Sequence, residues 1–277
     1  DISASTPQVM EYLQSINLAE YQNNQLILKS TEIGDDKDRV LMRSDGTFTY
    51  IANDIAYHLN KKRRGFAKQI NVLGMDHIGY FKRLQAGLSK ADINLNIISF
   101  NVVKLIKDDQ LIKMSKRAGT LLAIDELIKD IDPDILKVEM LSKSYMHELN
   151  ISIQNLVSNK DLVFYIKYTH IRIQSFYNKL ATYPEYDLEL LNTEYDEILF
   201  QNIIQWPLIL KNIEQKLDIH ILFTYAVTLC QSIQSLLSNV LVINDNNILT
   251  SSRIRLLLKA DEIIIHLGYI FNIHLPL

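Results

Sequence analysis

Apolar positions recur at helical spacing from about Asn159 to Leu277. Phe164, Tyr168, Ile171, Phe176 and Leu180, with Ile166 at the edge, make one stripe, and Ile203, Ile204, Leu208, Leu210, Ile213 and Leu217 a second. Leu222, Ala226, Leu229, Ile233, Leu236 and Leu237 make a third, and Ile254 to Leu267 a fourth. Stripes of this period are the buried faces of amphipathic helices, so this region reads as a helical bundle.

The earlier part is mixed. A helix is expected over Pro7 to Ile16, then a short apolar run, Leu26–Leu28. The β-rich runs Val40–Arg43 and Thr47–Ile51 flank Asp45-Gly46 and predict a hairpin. Asn53 or Asp54 can cap a following helix, which ends in the cations Lys61–Arg64 and the stop Gly65. Strand Ile70–Leu73, loop Gly74–Gly79, helix Tyr80–Ser89 and strand Leu95–Ile106 read as a βαβ unit. Ligands of such sheets sit beyond the C-terminal ends of the strands, where the Gly74–Gly79 loop falls. Asp132-Pro133 starts another helix. The expected fold is α/β followed by all-α.

Composition narrows the class. In 277 residues, 48% are apolar and 22% charged, which is ordinary globular usage. With 8 Gly and 5 Pro, long helices suit the chain better than many tight turns. A net charge of −3 confines any RNA or phosphate contact to local patches. The single Cys230 excludes an internal disulfide and a cysteine zinc cluster, reads as a buried packing residue, and fits a cytoplasmic setting. No run approaches the ~18 consecutive apolar residues of a membrane span, and no signal peptide is visible. Residues 181–200 carry six acids and no Lys or Arg, a solvated connection or a surface that repels RNA. Trp206 reads as core.

Lys113-Met114-Ser115-Lys116-Arg117, followed by Ala118-Gly119, packs three cations and a hydroxyl into five residues. Ammonium groups on such a loop can neutralise charge building on an α-phosphate and on leaving pyrophosphate. The segment resembles the nucleotide loop of class I aminoacyl-tRNA synthetases. Other segments resemble arginyl-tRNA synthetase: Gly34–Leu41, Arg43–Tyr50, Asp54–His58, Arg64–Phe66, Gly74–Tyr80 and Tyr168–Arg172. That resemblance covers nearly the whole chain, densest from Gly34 to Gly119.

The resemblance implies the latter part of a Rossmann-like core and a helical anticodon-binding domain. It implies ATP-dependent activation of arginine, with tRNA generally required first, and transfer to the tRNA. ATP is the expected nucleotide, with Mg2+, and no metal site is expected in the protein itself. Lys113 and Lys116 are implied as catalytic, with Met114, Ser115 and Arg117 completing the ATP loop. Asp54 matches the acid that holds the arginine guanidinium, a role that suits bidentate pairing; from the residues alone it reads as a plain N-cap, and the resemblance favours the ligand role. Tyr50 matches an aromatic lining the same pocket, and His77 a polar position that touches arginine or else starts a helix. Asp76 reads as a helix cap. Tyr168 and Arg172 are implied tRNA contacts, and Lys61–Arg64 meet phosphate or merely end a helix.

The His-x-Gly-His motif of the class is missing. The expected organisation is therefore a C-terminal half: residues 1–130 as core with the nucleotide loop, 131–158 as connection and 159–277 as anticodon-binding bundle. Its expected partners are arginine, tRNA and the missing N-terminal half, without a membrane, the full enzyme being a monomer. Alone it is expected to be inactive. The alternative is a tRNA-binding remnant or degenerate paralogue without catalysis. Departures such as Lys143-Ser144 and the closing Leu275-Pro276-Leu277 put anticodon contacts in question, not the nucleotide loop.

Overall fold

The computed structural model describes residues 6–108, 110–112, 124–158, 161–177, 179 and 185–276. The chain forms two compact units, Asp1–Val102 and Val103–Leu277.

The first unit opens with α1 (Thr6–Ser15) and the antiparallel pair β1 (Ala19–Gln22) and β2 (Gln25–Leu28). Their two-residue turn is Asn23-Asn24, both at positive φ, the geometry whose twist matches the strands. β3 (Arg39–Met42) adds antiparallel to β2. The predicted hairpin is only half formed. Gly46 at φ 82 and an Asp45 carboxylate that accepts from Thr47 make the turn, but the return arm is a single bridge, Met42 to Phe48. The chain then enters α2 (Tyr50–Arg63), so Tyr50 and Ile51 are helical rather than strand. Thr49 is the N-cap residue, and Asn53 and Asp54 lie inside the helix, capping nothing. The end of α2 follows expectation, with Gly65 at φ 88.

β4 (Gln69–Gly74), a 3₁₀ turn at Met75–His77, α3 (Ile78–Ser89) and β5 (Leu95–Phe100) form the predicted βαβ unit, parallel from Gln69↔Leu95 to Gly74↔Phe100. The single strand expected over Leu95–Ile106 is two strands in different sheets, interrupted at Asn101-Val102. Leu13, Leu26, Leu28, Leu41, Ile55, Leu84 and Leu88 form the fully buried centre.

In the second unit β6 (Val103–Lys107) pairs antiparallel with β7 (Gln110–Leu111). α4 (Ile124–Asp130) and α5 (Pro133–Met140) follow, the latter capped as expected by Asp132 accepting from Asp134 N at 2.9 Å. β8 (Leu149–Ser152) pairs parallel with β6 and runs into α6 (Ile153–Ser158). Four long helices complete the unit: α7 (Asp161–Tyr177), α8 (Glu194–Lys216), α9 (His220–Asn239) and α10 (Asn247–Phe271). The mixed-then-helical order bears out the expected fold class.

α9 and α10 bury the stripes read from the sequence, including Cys230. α9 is also long and apolar enough to cross a membrane by length and composition, which a count of consecutive apolar residues missed. Here it packs against α7, α8 and α10. The stripes on α7 and α8 are misplaced. α7 buries Val163, Ile166, Thr169, His170 and Ile173, while Phe164 is 58% exposed. α8 buries Leu199, Asn202 and Trp206, while Leu208 is 67% exposed. Each true inner face includes polar residues with partners inside, which a hydrophobic period does not register. Thr169 accepts from Gln234 and His170 meets Asp261. Tyr225 donates to the Asn202 carbonyl at 2.8 Å, one turn before the helix-interior Pro207.

The acid-rich stretch is not uniformly solvated. Asp196 is fully buried, held by Arg253 at 3.3 and 3.2 Å and closing a capping box with Thr193.

Candidate functional site

The start of α2 is pinned to β3. Thr49 accepts no cap bond of its own helix, but its hydroxyl donates to the Val40 carbonyl at 2.8 Å and its N–H to Leu41 O at 2.9 Å. Ile51, Ala52, Ile55, Ala56 and Leu59 face the core. That burial leaves Tyr50 and Asp54, one turn apart, away from the apolar face. Tyr50 is 86% exposed and Asp54 is half-buried.

Tyr80, in the first turn of α3, donates its hydroxyl to Asp54 Oδ2. The Tyr80 ring packs on the core of the first unit. Burial, then the Asp54 carboxylate, pushes the Tyr80 hydroxyl far above its ordinary range, so it remains a donor. Among the described residues Asp54 has no cationic partner. Asp35 differs: Arg39 grips it in a fork at 2.7 and 2.9 Å, Arg83 Nε stands at 3.7 Å, and its carboxyl is held far below the usual range. Asp134 is likewise paired, with Lys137 and Lys167. Asp54 thus keeps acceptor capacity beyond its one bond from Tyr80.

His77 lies in the turn after β4, its side chain 60% exposed and its Nε2 3.5 Å from Asp76. Asp76 does not cap α3, contrary to expectation: neither the 3₁₀ turn nor α3 has a side-chain cap. The basic end of α2 is partly committed. Lys62 donates to the Ala91 and Asp92 carbonyls, Lys61 lies over Tyr57 and Arg64 over Phe66. His58 is buried against Gln69, at 2.7 Å.

In the second unit Lys113, Met114, Ser115, Lys116 and Arg117 lie outside the described residues. The chain leading to them is tethered: Ile112 N donates to Leu105 O at 2.9 Å. On α7, Phe164, Tyr168 and Arg172 form a ladder at helical spacing. The two rings are nearly parallel, 5.7 Å apart, and the Arg172 guanidinium is 5.7 Å from the Tyr168 centroid. Arg172 also bonds Gln234. Trp206 is core, stacked on Tyr225. Among the described residues, no group of three or more His, Cys, Asp or Glu could hold a metal.

Sequence reasoning named Asp54, Tyr50, His77, Tyr168 and Arg172 but gave no site role to Tyr80 or Phe164. The available signals were a tyrosine opening a helix after the Gly-rich loop, and an aromatic four residues before Tyr168.

The DALR anticodon binding domain matches residues 166–276. An arginine–tRNA ligase of Mycoplasma mobile is 34% identical over 274 residues, covering 95% of this chain and 50% of the relative. The chain thus spans about half the length of the curated relatives it matches. A crystal structure from Campylobacter jejuni, described as an arginyl-tRNA synthetase, superimposes with a TM-score of 0.84 at 28% identity, over 99% of this chain and 62% of the other. The Thermus thermophilus arginyl-tRNA synthetase gives 0.79 over 100% and 58%; at 16% identity that likeness concerns the fold.

Proposed function

We propose, from the premise that this chain is a homologue of arginyl-tRNA synthetases along about half their length, that it forms the C-terminal half of an arginine–tRNA ligase. In this reading residues 1–130 complete the catalytic core, 131–158 connect, and 159–277 bind the anticodon end of the tRNA. The enzyme joins the arginine carboxylate to the α-phosphate of ATP with release of pyrophosphate, then passes the arginyl group to a terminal hydroxyl of the tRNA with release of AMP, in the cytoplasm.

The observation that carries the reading is Asp54, a half-buried carboxylate without a cation of its own, held by Tyr80 and one turn from exposed Tyr50. A guanidinium supplies the missing charge and a planar fork of donors. Tyr50 offers an aromatic face for it, and His77 a further polar group. An uncharged analogue would leave Asp54 without its countercharge, which is the basis for rejecting it. Lys113 and Lys116, with Met114, Ser115 and Arg117, hold the ATP phosphates and offset charge on the leaving pyrophosphate. Magnesium would accompany the ATP, held by phosphate oxygens and water, and would offset part of the phosphate charge. Tyr168 and Arg172 meet unstacked anticodon bases.

A second reading keeps tRNA binding without catalysis, favoured by the exposed Phe164–Tyr168–Arg172 ladder alone. Co-expressing the chain with a catalytic half carrying the His-x-Gly-His segment, and assaying arginine charging of tRNA, separates the two. Charging by this reconstituted ligase supports the first; tRNA binding without charging supports the second.

A further inference from the structure

Tyr80 and Asp54 sit on different helices, α3 and α2, yet share one hydrogen bond. The tyrosine ring is anchored in the core, so its hydroxyl is fixed in space. The carboxylate it meets is otherwise unpaired among the described residues. The terminal torsion of aspartate is broad, and a half-buried one without a partner would sample several orientations of its plane. A guanidinium fork needs the carboxylate plane aligned with its own, so that two parallel N–H···O bonds form. A carboxylate has about four lone-pair sites, so one bond from Tyr80 leaves enough for a fork.

We propose that Tyr80 is the positioning residue of the arginine pocket: its hydroxyl, donated to Asp54 Oδ2, locks the carboxylate plane and reserves Oδ1 and the remaining lone pair of Oδ2 for a guanidinium. Tyr80 acts on the substrate through Asp54. Because burial keeps the hydroxyl protonated, it donates at every working pH. Asp35 of the same unit differs, its carboxylate being already paired with Arg39 and Arg83. This inference rests on the arginine-binding reading of Asp54.

The test uses the reconstituted ligase with Y80F, D54N and the double variant, measuring steady-state constants for arginine and for ATP together with the thermal midpoint. Y80F is expected to raise the KM for arginine about tenfold, within the range for a lost hydrogen bond to a charged group. The kcat, the KM for ATP and the thermal midpoint should stay near their original values. In the D54N background, adding Y80F should cost nothing further. An unchanged arginine KM in Y80F, with D54N still impaired, overturns the role of Tyr80 and leaves the reading of Asp54 standing. Normal arginine KM in D54N overturns both. A Y80F effect that falls equally on both substrates, or that adds in full to D54N, makes Tyr80 merely structural and also overturns the proposal.

Discussion

His170 and Asp261 form a buried pair joining α7 to α10, Nδ1 to Oδ1 at 2.7 Å, and the second ring nitrogen of His170 lies 3.1 Å from the Pro276 carbonyl. Both ring nitrogens thus face acceptors. Gln174 donates to the other Asp261 oxygen at 2.6 Å. The cluster holds the segment after α10 against the bundle, aided by Lys137 donating to the Asn272 carbonyl.

Replacing His170 by Ala leaves the Asp261 carboxyl buried without its ring partner. The expected loss is about 3–5 kcal/mol in urea unfolding, the usual result of breaking a buried pair. A loss below about 1 kcal/mol, the level of an exposed pair, would contradict the geometry.

The Asp196–Arg253 pair offers a sharper test, because Asp196 also closes the capping box of α8. Arg253→Met is expected to destabilise by several kcal/mol, of the order of about 3. Asp196→Asn, which leaves the buried Arg253 cation without its countercharge and weakens the capping box, should cost at least as much, and the two changes should be strongly non-additive in a double-mutant cycle. Additive costs would mean that the two side chains do not interact.

Stability of the first unit should depend on His58. Burial pushes its pKa below the ordinary 6.5, with the Gln69 bond opposing. The folded state therefore resists protonation. The contribution is fully present above pH 6.5 and is lost as pH falls through the lowered value. Urea midpoints from pH 8 to pH 5 should fall for the parent chain and fall less for His58→Gln. Equal slopes would remove His58 as the source.

These residues also explain how far the sequence could be read. The stripe of α9 is legible because its inner face is nearly all apolar, and that of α10 because the buried polar residues Thr250–Arg253 precede the stretch from Ile254 to Leu267, Asp261 apart. α7 is not, because Thr169 and His170 are buried and satisfied by Gln234 and Asp261, partners 65 and 91 residues away. Its outward Phe164 and Tyr168 then pass for core. Tyr50 reads as strand from its β-rich neighbours, and only the fixing of Thr49 onto Val40 and Leu41 starts the helix there. Asp54 is recognisable from its motif. That Tyr80 holds it, and that no cation satisfies it among the described residues, depends on α2 and α3 packing together.

On α7, Tyr168→Ala and Phe164→Ala should each weaken tRNA binding by about 1–3 kcal/mol if bases stack there. The thermal midpoint should hardly move, since both rings are exposed. Filter binding at fixed salt measures this. Unchanged affinity in both variants would remove the ladder from the tRNA surface.

The most direct measurement is arginine charging of tRNA by the reconstituted ligase with and without Asp54→Ala. Loss of a hydrogen-bonded charge partner predicts a fall of about 3 kcal/mol or more, over a hundredfold in kcat/KM for arginine, with tRNA affinity intact. Charging that is undiminished in Asp54→Ala, or a parent protein that binds tRNA and never charges it, would contradict the account.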